Sequence, residues 1–123
     1  MNKILEHKHI IIRAEVSDPI TKRNKAIKFL NRIIKAIDMK AMYGPTATYC
    51  KMEGNRGVTA FAIIETSHVA LHIWDEINPA LVQLDVYSCS EFEPRKVLDI
   101  LQELNPTKVE YKYLDRDKGF KEL

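Results

Sequence analysis

Apolar and polar residues alternate over much of the chain, which predicts a protein built largely from β-strands. Such alternation sends successive side chains to opposite faces of a sheet, so that one face can be buried while the other stays polar. The pattern predicts six strands, at residues 9–16, 46–52, 58–64, 68–74, about 81–89 and 109–113. A hairpin-like loop at residues 54–57 joins the second of these strands to the third.

Two other segments show the three- and four-residue spacing that is typical of an amphipathic helix. The apolar stripe of the first consists of Ile27, Leu30, Ile34 and Ile37. The Ser-Asp-Pro run at residues 17–19 predicts where this helix begins. The apolar stripe of the second consists of Val97, Leu101 and Leu104. Ser90 and Glu93 resemble a capping box before the second helix, and Asn105-Pro106 predicts its end.

The predicted order of elements is β-α-β-β-β-β-α-β, with four strands in succession and only two helices. This order favours an α+β fold, a two-layer sandwich whose mainly antiparallel sheet carries both helices on one face. The opposite face would then be open for a partner subunit or a ligand. The length fits a single domain over residues 1–123, and the polar tail at residues 115–123 is expected to be loosely held.

Charge and composition exclude several classes of protein. Lys and Arg total 19 and Asp and Glu total 17, a balance that does not favour a nucleic-acid binder. We interpret the basic cluster at residues 22–28 as a solvated helix face. No apolar run reaches membrane-spanning length and no signal-peptide pattern is present, so a cytoplasmic protein without membrane contact is expected. Cys50 and Cys89 lack metal-ligand spacing, so no metal is expected.

The strand predicted at residues 68–74 carries unusual polar side chains. Alternation places two histidines and the tryptophan on the face opposite to its apolar residues. If this strand pairs with the one at residues 81–89, one face gathers Ser67, His68, His72, Trp74, Asp85 and Cys89. The set contains a hydroxyl, imidazoles and a thiol, but neither a GxSxG elbow nor an HExxH zinc motif. These residues alone indicate a polar constellation and leave its chemistry unspecified.

A longer pattern extends across residues 57–89. Its elements are Gly57-Val58-Thr59, Ser67-His68, Ala70-Leu71-His72, Trp74, Glu76 and Asp85-Val86-Tyr87-Ser88-Cys89. This pattern resembles the small prokaryotic S-adenosylmethionine decarboxylases, whose motif is approximately G-V-[ST]-x(6)-E-S-H-x-[STA]-[IL]-H-T-W-P-E followed by V-D-[VI]-[FY]-[TS]-C. The resemblance is specific over the middle third of the chain, and the order of elements agrees with the family's two-layer sandwich.

The resemblance implies a self-processing enzyme with a pyruvoyl prosthetic group. In such a protein the Ser67 hydroxyl attacks the carbonyl carbon of Thr66 and converts the amide to an ester. β-Elimination then cuts the chain between Thr66 and Ser67 and leaves a pyruvoyl group at the new N-terminus. The pyruvoyl carbonyl forms a Schiff base with the substrate amine and acts as the electron sink for decarboxylation. The implied small-molecule substrate is S-adenosylmethionine, decarboxylated in the cell for the synthesis of spermidine and other polyamines.

The resemblance also implies roles for the residues around the serine. His72 and Thr59 would assist processing, and Cys89 would reprotonate the substrate α-carbon after carbon dioxide has left. Glu76 would hold substrate hydroxyls, and Trp74 would wall the pocket. Members of the family dimerise through their sheets, so a homodimer of processed chains is implied.

Three positions depart from the family pattern and leave alternatives open. Thr66 stands where the family has glutamate, which is compatible with an unprocessed, non-catalytic homologue that binds a ligand or partner. Asp75 replaces the proline after the tryptophan, and the loop that follows is two residues longer. Glu53 replaces an aromatic residue that would stack on adenine. Because a carboxylate at a substrate-binding position suits a cationic ligand, the same chemistry on arginine or ornithine is a further alternative.

Overall fold

The computed structural model describes residues 5–123 and contains a seven-stranded sheet. Its strands are β1 (Lys8–Val16), β2 (Ala41–Cys50), β3 (Gly57–Ile64), β4 (Ser67–Trp74), β5 (Ala80–Ser88), β6 (Pro106–Asp115) and β7 (Lys121–Glu122). They lie in the order β2-β3-β4-β5-β1-β6-β7, and each neighbouring pair is antiparallel. The strands β2 to β5 follow one another both along the chain and across the sheet, which agrees with the run of four strands predicted from the sequence.

Two helices cover one face of this sheet. The first, α1 (Arg23–Ala36), packs on β2 and β3 and touches α2 (Pro94–Leu101), which continues into a 3₁₀ turn (Gln102–Leu104). Both helices bury one apolar stripe, as their sequence spacing predicts. The predicted α+β two-layer sandwich is therefore confirmed. Neither helix in this part of the chain has the length and apolar character needed to cross a membrane.

The two faces of the sheet differ in character. On the helix side, alternate residues of the central strands form the core: Ile10, Ile12, Ala14, Val16, Val69, Leu71, Ile73, Val82, Leu84 and Val86. Their neighbours point away from the helices and form what we call the open face: His9, Ile11, Arg13, Thr59, Phe61, Ile63, His68, Ala70, His72, Trp74, Gln83, Asp85 and Tyr87. Three apolar side chains of the open face, Ile11, Phe61 and Ile63, are 39%, 40% and 44% exposed.

The first helix begins later than its sequence predicts. It starts at Arg23 rather than at the Ser-Asp-Pro run. The N–H groups of Ser17 and Asp18 instead donate to the carbonyl oxygens of Asn105 and Leu104, at 3.0 and 3.1 Å. A tertiary contact with the end of the 3₁₀ turn thus engages the donors that a helix start would have left free.

Three further local predictions are wrong. The Ser90–Glu93 capping box is absent from the second helix: Glu93 is its N-cap and makes no side-chain capping bond, while the Ser90 N–H donates to the Ser88 hydroxyl. The polar tail is not loose throughout, because β7 pairs with the end of β6. The second strand also begins five residues earlier than predicted and runs through Gly44-Pro45, where its register with β3 shifts.

Gly57 allows β3 to approach β4 closely at one end of the sheet. Its φ angle is +151°, and a Cβ atom built there would lie 1.6 Å from the carbonyl oxygen of Ile73. Only a residue without a side chain fits this position. The glycine of the sequence motif therefore fixes the pairing of the two strands that carry the polar residues.

Candidate active site

The turn between β3 and β4 places Ser67 in an unusual backbone conformation. The turn consists of Glu65 and Thr66, and Ser67 opens β4 opposite Ile64 of β3 and Ser88 of β5. The φ angle of Ser67 is +147°, in a region that residues other than glycine rarely adopt. Holding a residue there costs about 1–3 kcal/mol. The strain lies in the N–Cα torsion of Ser67, directly after the Thr66–Ser67 peptide bond.

Thr66 is held both at its carbonyl group and at its side chain. The Cys89 N–H donates a 2.7 Å hydrogen bond to the Thr66 carbonyl oxygen. The Ser88 hydroxyl donates to Thr66 Oγ1 at 2.9 Å, and Thr66 Oγ1 donates in turn to Met39 Sδ at 3.1 Å. A donor aimed at a carbonyl oxygen stabilises the negative charge that develops there during nucleophilic attack. The Thr66 carbonyl carbon is thus a polarised electrophile beside a strained serine.

His9, His68 and Asp85 form a connected cluster on the open face. Nε2 of each histidine lies 3.1 Å from the same carboxylate oxygen, Oδ1 of Asp85. Nη1 of Arg116 lies 3.2 Å from His9 Nδ1 and can only donate, so His9 Nδ1 accepts and His9 Nε2 donates to Asp85. Burial by itself raises the pKa of Asp85, but the hydrogen bonds and charges of the two histidines together bring that pKa below its ordinary value of 3.8.

Within residues 5–123, the same three side chains form the group that could hold a metal ion, because their ligand atoms all lie within 4.8 Å of one another. Two imidazoles and a carboxylate suit several transition metals. Binding would require His9 Nε2 to lose its proton, and Arg116 holds that proton in place through the opposite ring nitrogen. The guanidinium charge also repels a cation. The arrangement therefore favours hydrogen bonding over metal binding.

A second polar group lies toward the other end of β4. Thr59 Oγ1 and His72 Nδ1 are 3.1 Å apart across the β3–β4 pair. The His72 ring stacks on Trp74 with a centroid separation of 6.0 Å, and Trp74 Nε1 donates to Asn55 Oδ1 at 2.7 Å. His72 is five residues beyond Ser67 on an extended strand, which separates their Cα atoms by about 16 Å. Within one chain, the Thr59–His72 pair is therefore remote from the strained serine.

Glu76 joins the loop after β4 to the loop between β2 and β3. Its carboxylate accepts hydrogen bonds from the N–H groups of Gly54 and Arg56, at 3.1 and 3.0 Å. The bond from Arg56 and then the bond from Gly54 lower the pKa of Glu76 below its ordinary value. Glu53 is exposed beside them in the same loop. The Glu76 carboxylate thus organises this loop, and its remaining lone pairs face solvent.

Besides His68 and Asp85 of the cluster described above, the residues singled out from the sequence fall into two groups. Ser67, Thr66 and Cys89 meet at the turn where β4 begins, and their link is the backbone of Cys89 rather than its thiol. Thr59, His72, Trp74, Glu76 and Glu53 belong to the other end of β4 and its adjoining loops. The prediction that His68, His72, Trp74 and Asp85 share one face agrees with the sheet register. The prediction that Ser67 shares this face is wrong, because Ser67 lies opposite the buried Ser88 and the alternation along β4 assigns it to the helix side.

Ser88, the last residue of β5, contacts the turn, although no role was predicted for it from the sequence. It is fully buried, with no exposed surface. The sequence does carry a signal for it: Ser88 occupies the next position in the buried series Val82, Leu84 and Val86, where a polar side chain is unexpected. A buried hydroxyl at such a position needs a hydrogen-bonding partner, and the partner here is Thr66.

The chain is similar to one protein family over nearly its whole length. Residues 8–117 match the sequence profile of the family described as S-adenosylmethionine decarboxylase. A protein of Pyrobaculum islandicum named S-adenosylmethionine decarboxylase proenzyme is 35% identical over 108 residues, which cover 86% of this chain and 76% of the relative. A protein of Pyrobaculum arsenaticum with the same name is 33% identical over 99 residues, covering 79% of this chain and 70% of the relative.

A solved structure has the same fold. The crystal structure of the adenosylmethionine decarboxylase from Aquifex aeolicus superimposes with a TM-score of 0.69 and covers 93% of this chain and 92% of its own. The two sequences are 22% identical in this comparison, so the likeness concerns the fold.

Proposed function

The chain belongs to the S-adenosylmethionine decarboxylase family, and we propose that it is a self-processing enzyme that removes carbon dioxide from S-adenosylmethionine with a pyruvoyl group made from Ser67. The observation that carries this proposal is the geometry at the start of β4. Ser67 has a φ angle of +147°, and the carbonyl oxygen of Thr66 before it receives a 2.7 Å hydrogen bond from the Cys89 amide. The polarised carbonyl group of Thr66 and the strained backbone of Ser67 are therefore adjacent.

The proposed processing needs only atoms of the chain and water. The Ser67 hydroxyl attacks the Thr66 carbonyl carbon, the C–N bond breaks, and the proton of the hydroxyl ends on the Ser67 nitrogen, which leaves an ester. A base then removes the Cα proton of Ser67, the Cβ–O bond breaks, and Thr66 departs as a carboxylate. Water hydrolyses the resulting dehydroalanine and releases ammonia. The pyruvoyl ketone that remains occupies the position of Ser67, because it is formed from the atoms of that residue.

The Cys89 residue supports both halves of the proposal through different atoms. Its backbone N–H stabilises the negative charge on the Thr66 carbonyl oxygen during the acyl shift. The residue is half-buried, and its thiol is not in a disulfide. The pyruvoyl group supplies the electron sink for decarboxylation. We assign to the Cys89 thiol the proton that returns to the substrate α-carbon.

The proposed enzyme is a homodimer in which the open faces of two chains meet. One support is the exposed apolar surface of Ile11, Phe61 and Ile63 on that face. The other is the gap of about 16 Å between Ser67 and His72 along β4. A two-fold axis through the open face reverses the direction of the partner's β4, which brings the Thr59–His72 pair of one chain towards the turn before Ser67 in the other. That pair would supply the acid–base assistance that the turn itself lacks.

The substrate assignment has one competitor. Glu53 is exposed in the loop where an aromatic residue would stack on adenine, and its carboxylate suits a cationic substrate such as arginine or ornithine. Measuring the release of labelled carbon dioxide from S-adenosylmethionine, arginine and ornithine distinguishes S-adenosylmethionine from a basic amino acid as the substrate. We expect release from S-adenosylmethionine alone. Release from either basic amino acid at a higher kcat/KM would reject the proposed substrate and leave the pyruvoyl chemistry in place.

A further inference from the structure

We propose that Ser88 is a positioning residue for self-cleavage: its buried hydroxyl fixes the Thr66 side chain and thereby holds the scissile carbonyl group against the Cys89 amide. The inference rests on the proposed function, because it concerns the rate at which the chain cuts itself. It adds a residue to which the family resemblance gives no role.

The burial of Ser88 shows that its hydroxyl acts locally. The side chain has no exposed surface, so water is not an alternative partner. The Ser90 N–H donates to Ser88 Oγ at 3.0 Å and so occupies its acceptor side. The hydroxyl proton of Ser88 is then directed to Thr66 Oγ1 at 2.9 Å. Thr66 Oγ1 in turn donates a hydrogen bond to Met39 Sδ, so the chain of hydrogen bonds runs in one direction.

These hydrogen bonds restrain the Thr66 carbonyl group, which the Ser67 hydroxyl attacks. Thr66 is held at two points, by Ser88 at the side chain and by Cys89 at the carbonyl oxygen. Ser88 lies directly opposite Ser67 in the register of β4 and β5, so both restraints come from one short stretch of β5 and the residue that follows it. Two such anchors fix the plane of the Thr66–Ser67 peptide. The angle at which the Ser67 hydroxyl meets the carbonyl carbon depends on that plane.

The same contacts involve the threonine that departs from the family pattern. That pattern has glutamate at position 66 together with serine or threonine at position 88, so a hydroxyl at position 88 is not confined to chains with Thr66. In this chain the Thr66 hydroxyl accepts from Ser88 and donates to Met39. Thr66 and Ser88 are therefore linked by one hydrogen bond, and substituting either residue removes it.

The decisive experiment follows chain cleavage in freshly made protein by denaturing mass spectrometry, with and without hydroxylamine. The variants are Ser88→Ala, Thr66→Val and the double variant, with Ser88→Thr as the conservative rescue. Thr107→Val is the matched control, because its hydroxyl bonds the Glu15 carbonyl oxygen away from the turn. Hydroxylamine cuts an ester but leaves an amide intact, so it reports which step is slow.

We expect Ser88→Ala and Thr66→Val each to slow cleavage by about 10- to 100-fold and to accumulate intact chain that resists hydroxylamine. The double variant should be no slower than the slower single variant, since both remove the same contact. Ser88→Thr and Thr107→Val should cleave at the wild-type rate. Decarboxylation per processed chain should be unchanged throughout, which a general structural defect would not produce.

Two results would overturn the inference alone: cleavage of Ser88→Ala and Thr66→Val at the wild-type rate, or accumulation of a chain that hydroxylamine cuts. The second result would move the role of Ser88 from the acyl shift to the elimination. Thr66→Val keeps the test decisive even if Ser88→Ala does not fold, because Thr66 is only half-buried. A wild-type chain that never cleaves would reject the proposed function, and this inference with it.

Discussion

The backbone N–H of Cys89 donates a 2.7 Å hydrogen bond to the carbonyl oxygen of Thr66. This contact ties the residue after β5 to the turn before β4, next to a serine whose φ angle is +147°. It also separates two functions of one residue, since a backbone amide survives any side-chain substitution except proline. The first prediction makes use of that separation.

Replacing Cys89 with alanine should leave cleavage intact and abolish most decarboxylation. The amide that polarises Thr66 remains, so two fragments should still form at the wild-type rate. Loss of the thiol should lower the rate of correct product formation by about 100-fold or more, the usual contribution of a general acid. Mass spectrometry measures the first quantity and carbon dioxide release the second. The control is Cys50→Ala, whose thiol lies at the β2–β3 loop and accepts from Asn55. Loss of cleavage in Cys89→Ala would contradict the assignment.

Mixing two inactive chains should restore activity if the processing residues come from different subunits. The Ser67→Ala chain has no nucleophile, and the His72→Ala chain has no imidazole near the partner's serine. Neither should cleave when produced alone. When both are produced together in equal amounts, random dimers should allow about half of the His72→Ala chains to cleave. Tags of different mass identify which chain is cut. No cleavage in a mixture that demonstrably forms heterodimers would contradict the shared site.

A side chain at Gly57 should destabilise the sheet. A Cβ atom would lie 1.6 Å from the Ile73 carbonyl oxygen, at a φ angle that disfavours any side chain. We expect Gly57→Ala to lower the free energy of unfolding by about 2–3 kcal/mol or more. Gly54→Ala is the matched control: its φ angle is +86° but nothing lies within 4 Å of the added atom, so about 1 kcal/mol should be lost. Urea unfolding measures the free energy of unfolding of both variants. Equal losses of this free energy would contradict the close approach of β3 to β4.

The cluster around Asp85 should make stability depend on pH. The folded pKa of Asp85 lies below its ordinary value of 3.8, so its stabilising effect is fully present above that value and is lost as the pH falls through the folded pKa. The free energy of unfolding of Asp85→Asn should therefore fall below that of the wild type at neutral pH, and the difference should narrow in acid. Asp99→Asn, on an exposed position of α2, controls for the loss of a charge. A difference that stays constant with pH would contradict the role of the histidine contacts.

The periodicity of apolar residues was sufficient to predict the sheet, and to predict which side chains of its central strands face the core. The apolar alternation of Val69, Leu71 and Ile73 identifies the core side of β4 because burial acts on each strand locally. The start of α1 was not predictable in this way, since the hydrogen bonds of Ser17 and Asp18 reach residues that are distant in sequence. Contacts of that kind depend on the finished fold.

The candidate site, like the fold, was only partly predictable from the sequence. The resemblance identified Ser67, Cys89 and His72 by type and spacing, which depend only on the order of residues. The five-residue spacing along a predicted strand already implied about 16 Å between Ser67 and His72. The resemblance carries residue types and spacings, and it does not show how two residues so far apart on one strand would act together. Ser88 was missed although it continues the buried series of Val82, Leu84 and Val86, because its hydrogen-bonding partner Thr66 can be identified only from the fold.

A denaturing mass spectrum of freshly purified wild-type protein beside Ser67→Ala decides whether the chain processes itself at Ser67. We predict that the wild type yields two fragments, residues 1–66 and residues 67–123. The second fragment should be lighter by one ammonia than the same peptide with an N-terminal serine, which distinguishes self-processing from proteolysis. Ser67→Ala should stay intact. A wild-type chain that remains whole after long incubation, or that is cut at another bond, would contradict the assignment of Ser67 as the pyruvoyl precursor.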